Sequence, residues 1–100
     1  MILTDEKLKK LEETATQLRC DVIDMLLEAK SGHTAGPLGM ADVFTALYFS
    51  GILNVDPKNP TWEDRDRVIL SNGHICPIQY AALARAGFFP IEELKTLRKF

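Results

Sequence analysis

The sequence predicts an α/β fold that is mostly helical within its 100 residues, with one short strand belonging to a sheet larger than the chain itself supplies. Three observations lead there. Apolar side chains recur at steps of three and four from about Asp5 to Lys30, the period of an amphipathic helix. Val68-Ile69-Leu70 is apolar on both faces, as in parallel strands covered by helices on each side. Two glycine-histidine turns, Ser31-Gly32-His33 and Ser71-Asn72-Gly73-His74, stand where one regular element gives way to another.

The first helix carries Leu8, Leu11, Ala15, Leu18, Val22, Met25 and Ala29 on its stripe, widened by Ile23, Leu26 and Leu27. Thr4 is placed to cap it, Asp5 and Glu6 suit the positive end of its dipole, and Ser31-Gly32 is the expected stop. The spacing also fits a coiled coil, but it extends over only about three heptads, and the wide stripe favours a helix lying on a core or a subunit boundary. After His33, Gly36-Pro37-Leu38-Gly39 leads into a second helix over Met40, Ala41, Val43, Phe44, Leu47 and Tyr48, ending near Ser50-Gly51. Pro37 belongs in a first turn, where its missing N–H costs nothing.

Asn54 to Asp64, with Pro57 and Pro60, reads as a surface loop. Val68-Ile69-Leu70 is then a buried strand. A strand must find neighbours for its N–H and C=O groups, and no second such run exists here. Either the remaining strands come from elsewhere or the product stays mostly helical. From Ile75 to Ala86, Ile78, Ala81, Ala82 and Leu83 fall at helical spacing, with Pro77 tolerable in the first turn and Gly87 as the stop. Phe88 and Phe89 read as buried, and Pro90 opens a last helix with Leu94 and Leu97 that runs to Phe100.

Composition excludes several classes. With 46% hydrophobic and 26% charged residues and a net charge of −2, the chain is neither fibrous nor disordered. Twelve basic against fourteen acidic residues leave no field for nucleic acid, and no basic patch interleaves with aromatics. No apolar run approaches the roughly 20 residues of a membrane span, and the amino terminus lacks a signal-peptide pattern, so a cytoplasmic location is expected. Cys20 and Cys76 lack zinc-site spacing and are expected to be reduced and structural. Tyr48, Trp62, Phe88 and Phe89 read as core, Arg65-Asp66-Arg67 as a solvated, locally paired cluster, and Ser31 and Asn72 as caps.

The histidines remain. His33 and His74 are the only two in the chain, each preceded by glycine, each on a loop where side chains and backbone donors face ligands. Imidazole is the side chain whose ordinary pKa lies nearest neutrality, so the pair suits proton transfer, phosphate binding or metal ligation.

The segments SGHTAGPLGMADVFTALYF, DRDRVILSNGHICPIQYAALARAGFF and the opening of IEELKTLRKF resemble the amino-terminal part of transketolase, most closely the amino-terminal subunit of split transketolases. The likeness covers nearly the whole chain, with both histidine motifs in order and 41 positions apart. It implies that residues 1–100 are the amino-terminal portion, incomplete, of a thiamine-diphosphate-binding module with a parallel sheet flanked by helices. It further implies transfer of a two-carbon ketol unit from a ketose phosphate to an aldose phosphate. Residue by residue, His33 matches the histidine that contacts substrate and moves protons. His74 matches the one beside the cofactor diphosphate, with Gly73 next to it, and Gly36 falls where relatives touch the cofactor. Thr34 departs from the proline that commonly follows the first histidine.

The resemblance also places outside this chain the third histidine motif, the Gly-Asp-Gly motif that holds magnesium, and the glutamate that activates the cofactor. A carboxy-terminal transketolase portion or subunit, a dimer and sugar phosphate substrates are therefore expected, with no magnesium ligands and no turnover in this chain alone. Bond cleavage beside a hydroxyl needs a proton removed from that hydroxyl at neutral pH, for which His33 is suited. His74 at a helix start offers a diphosphate an imidazole and backbone donors. Two other readings stand beside this one: another thiamine enzyme, such as deoxyxylulose-phosphate synthase or a 2-oxoacid dehydrogenase component, and a non-catalytic helical remnant binding a partner through the Leu8–Ala29 stripe.

Overall fold

A computed structural model describes residues 3–97 as a layer of helices packed on one core. The helix α1 spans Asp5–Ala29, α2 Ala35–Gly39, α3 Ala41–Phe49 and α4 Cys76–Ala86, with short 3-10 helices over Gly73–Ile75 and Ile91–Thr96. None of the described helices is long and apolar enough to cross a membrane.

The first helix begins as expected: the Thr4 hydroxyl accepts the Lys7 N–H at 3.2 Å, and Asp5 and Glu6 occupy the first turn. Its end differs. Lys30 takes the left-handed conformation at φ 59° and donates its N–H to the Leu27 carbonyl, so the reversal precedes Ser31-Gly32 by one residue. From the stripe, Ala15, Leu18, Val22, Met25 and Leu26 enter the core, while Leu8, Ile23 and Leu27 stay exposed. The inner face is therefore narrower than the full apolar pattern.

The expected second helix is two. Residues Gly36 to Gly39 already form α2, and the chain bends at Met40 (φ −98°, ψ 3°) before α3 begins. Helical bonds from Leu38 N–H to the Thr34 carbonyl and from Phe44 N–H to the Met40 carbonyl flank the bend. Helix α4 is preceded by Gly73–Ile75, carries Pro77 in its first turn, and ends at Gly87 with φ 101°. There Gly87 N–H bonds the Ala84 carbonyl and Phe88 N–H the Leu83 carbonyl, the paired closure that a left-handed glycine permits. The last segment tightens into a 3-10 helix, with Leu94 buried; its predicted end at Phe100 lies outside the described residues.

Leu18, Val22, Ala41, Phe44, Ile78, Ala81 and Ala82 form the core, where α1, α3 and α4 meet. The alanines let the helix axes approach closely, and each fully buried Leu, Val or Ile contributes roughly 1.5–3 kcal/mol. Trp62 is exposed, and Tyr48, Phe88 and Phe89 are only half-buried, so the aromatic contribution to the core comes mainly from Phe44. Cys20 and Cys76 are free, but Cys20 is exposed rather than packed inside. Arg65 and Arg67 donate to backbone carbonyls of Trp62, Glu63 and Arg65, while Asp66 accepts the Asn54 N–H at 2.6 Å; the cluster is locally bonded through the backbone instead of paired within itself.

The predicted strand is corrected. No strand forms among the described residues, and Ile69 is 90% exposed. Residues 68–70 make no backbone hydrogen bond with other described residues. The physical reason is the absence of a neighbour: an extended run gains ladder bonds and two covered faces only when other strands lie beside it.

One buried group lacks its usual partner. Thr45, 2% exposed on α3, has its hydroxyl oxygen shut away without a hydrogen bond among the described residues. Thr45→Val removes that unpaired polar atom at nearly the same volume and is expected to raise stability by about 1 kcal/mol in urea unfolding; a loss of stability would show that the hydroxyl is satisfied.

Candidate functional site

Both glycine-histidine turns reach one place. The reversal at Lys30 and the turn at Gly32 (φ 128°) carry the chain off the end of α1, and His33 follows just before Thr34 and α2. On the other side, Leu70-Ser71 delivers Asn72, whose side-chain oxygen accepts the His74 N–H at 3.2 Å and so starts the 3-10 turn Gly73–Ile75. The imidazoles of His33 and His74 meet edge to face, their ring centroids 5.0 Å apart and their planes at 81°. Both rings are solvent-exposed.

The distance between the turns is set by Gly36. A Cβ there would stand 2.6 Å from Cγ2 of Ile75, which is buried and branched at its own Cβ. Only a residue without a side chain lets α2 rest on the turn that holds His74. Pro37, buried beside it, anchors α2 to the core. Gly36 is therefore a spacer in this fold. Gly36→Ala is expected to cost about 1–3 kcal/mol and to separate the two rings, measured by chemical unfolding and by loss of the His33–His74 ring contact in NMR; an unchanged contact would show that Ile75 gives way freely.

Gly73 differs from Gly36. Nothing lies within 4 Å of where its Cβ would stand, so the space before it is open to a ligand. The helix-start donors expected beside it are largely committed: His74 N–H to Asn72 Oδ1, Ile75 N–H to the Asn72 carbonyl and Cys76 N–H to the Gly73 carbonyl. That corrects the expectation of several free backbone donors at this turn. The imidazole of His74 stays available to an anion.

An open groove of about 460 Å³ runs across the pair, lined by Gly32, His33, Thr34, Gly36, Asn72 and Ile75 among others. It lies within the size range of small-molecule sites. Among the described residues no Lys, Arg, Asp or Glu lines it. A group with several negative charges would thus find hydrogen-bond donors here but not full neutralisation. Among the described residues no set of three His, Cys, Asp or Glu side chains is arranged to hold a metal ion.

Residues 10–100 match the family described as transketolase, thiamine diphosphate binding domain. The chain belongs to this family. Its transketolase relatives include the 6-deoxy-6-sulfo-D-fructose transketolase subunit SqwG of Clostridium sp. (strain MSTE9), 43% identical over 89 residues, which are 89% of this chain and 32% of that protein. Transketolase 1 of Escherichia coli (strain K12) is 43% identical over 89 residues, 88% of this chain and 13% of its own length. The chloroplastic transketolase of Spinacia oleracea is 41% identical over 92 residues, 90% of this chain and 12% of its own. The chain spans about a third or less of the length of these transketolases.

Of the residues singled out from sequence, the fold brings His33, His74 and Gly36 to one groove, with Gly73 in the adjoining turn. Ile75 was not foreseen. Its part depends on a contact with Gly36 across 39 positions, for which local pattern carries no signal.

Proposed function

We propose that this chain is one part of a transketolase-type transferase that moves a two-carbon ketol unit from a ketose phosphate to an aldose phosphate, completed by a carboxy-terminal portion or subunit. The observation that carries the reading is the meeting of two imidazoles in one groove, in a chain of the transketolase thiamine diphosphate binding family. Thiamine diphosphate, when bound, supplies the electron sink for carbon–carbon cleavage. His33, exposed and without a hydrogen bond to its ring among the described residues, takes and returns the proton of the substrate hydroxyl beside the bond that breaks. His74 donates from its ring toward the diphosphate, and the open space before Gly73 admits that group. Gly36 serves the same seat by holding the two turns together.

The groove's lack of cationic side chains supports a second contribution from outside these residues, which is where magnesium and its ligands belong in this reading. The exposed Ile23 and Leu27 of α1 are in keeping with burial against the remaining portion or a second copy in a dimer, and the free cysteines with a cytoplasmic setting.

The test is to combine the chain with the remaining portion, thiamine diphosphate and magnesium and to follow transfer from a ketose phosphate to an aldose phosphate. Transfer supports the reading. Turnover only with a 2-oxoacid donor assigns the chain to another thiamine enzyme, and self-association without cofactor affinity assigns it to a partner-binding remnant.

A further inference from the structure

We propose that the outer face of α1 packs against the same face of a second copy of this chain, the two helices running antiparallel about a two-fold axis that passes between Cys20 and Ile23. The side of α1 turned away from the core carries Thr16, Cys20, Ile23 and Leu27 at steps of four, three and four, the spacing of a helix-pairing seam. All four are exposed. Leu27 is 70% open to solvent and Ile23 44%, while the Thr16 hydroxyl donates to the Glu12 carbonyl at 3.1 Å and so needs nothing from a partner.

Charge selects both the occupant and its direction. The same seam continues to Glu13 at one end and Lys30 at the other, and among the described residues neither side chain makes a hydrogen bond or an ion pair. In a parallel pair each would meet its own counterpart, carboxylate on carboxylate and ammonium on ammonium. Like charges would then repel at both ends. Antiparallel pairing instead sets Glu13 against Lys30 of the second copy, Thr16 against its Leu27 and Cys20 against its Ile23, and the two-fold axis repeats each contact in reverse. Sliding by one heptad in either direction brings Glu13 onto Ile23 or Lys30 onto Cys20, so a single register satisfies both charges. Such self-complementarity is what an isologous interface requires.

Four seam side chains from each copy bury a small area, so the dimer should form and dissociate with concentration, with a Kd on the order of 10–100 μM. The pairing uses no residue of the histidine groove. It therefore stands or falls independently of ketol transfer.

Sedimentation equilibrium tests it on the full chain carrying I69K, which removes association through the exposed 68–70 stretch. A dimer is expected. L27E should weaken it at least about tenfold, with I23E in its place where circular dichroism shows that L27E loses helix. E13K and K30E should each weaken it about five- to tenfold, and the doubly reversed E13K/K30E should return close to the parent, a rescue that a merely loosened fold would not give. In a C76S background a short bis-maleimide should link Cys20 to Cys20 of the second copy, because the register leaves the two only three positions, about 4.5 Å, apart along the axis; C20S should abolish the link. A monomer at about 1 mM, a dimer indifferent to L27E, charge reversals that do not rescue each other, or no Cys20 link overturns the pairing. So does release of the dimer into a one-to-one complex on adding the carboxy-terminal portion, which would assign the face to that portion.

Discussion

Replacing His33 with alanine in the assembled, cofactor-loaded protein is expected to lower kcat for ketol transfer by about 10²–10⁴-fold, the range of a positioned acid–base group. The side chain is exposed at the mouth of an open groove, in edge-to-face contact with His74. Its removal should therefore leave folding within about 0.5 kcal/mol of the parent. Because His74, not His33, faces the diphosphate in the proposed arrangement, cofactor affinity should change far less than kcat. Steady-state kinetics against sugar phosphate, a thiamine diphosphate titration and a thermal melt separate the three quantities. An unchanged kcat would remove His33 from the chemistry; a fall in stability matching the fall in rate would make it a structural residue.

Arg85→Ala is expected to destabilise the fold by about 2–4 kcal/mol, the largest effect anticipated away from the groove. Asp21 on α1 is 6% exposed and accepts from Arg85 Nε at 2.7 Å, from an Arg85 terminal nitrogen at 2.8 Å and from Gln17 Nε2 at 3.0 Å. Those hydrogen bonds from Arg85 to Asp21 also push the guanidinium pKa further up, so Arg85 stays charged at any accessible pH. Arg85 itself is partly open to water, which screens the Coulomb attraction. The magnitude comes instead from the carboxylate, which is 6% exposed beneath the guanidinium and would keep Gln17 as its side-chain donor among the described residues. Urea unfolding measures it directly, and for a domain of this size each kcal/mol lowers Tm by roughly 4–8 °C. The double variant with Asp21→Ala should recover part of the loss, as removing the stranded charge removes its penalty. If the double variant loses the sum of what Arg85→Ala and Asp21→Ala each lose alone, the pair is not coupled.

The features legible in the sequence are those with a local cause. Three- and four-residue periodicity placed α1 and α4 to within a few residues, and Thr4, Asn72, Pro77 and Gly87 act as the caps and turns their chemistry implies. The two histidine turns were recognisable as element boundaries, and their rings share one groove. Features set by distant contacts were not legible. The Asp21–Arg85 pair joins positions 64 apart, and the approach of Gly36 to Ile75 joins positions in different turns. Lys30 in place of glycine as the left-handed residue, and the bend at Met40, have no local pattern that announces them. Val68-Ile69-Leu70 has the composition of a strand, but composition cannot furnish the neighbours that make one.

That same stretch has a practical outcome for anyone purifying the polypeptide. Ile69 projects into solvent from a backbone whose donors and acceptors find nothing among the described residues, which is the kind of sticky edge that recruits identical molecules into intermolecular ribbons. Solubility should accordingly fall with rising concentration and improve when Ile69 becomes lysine.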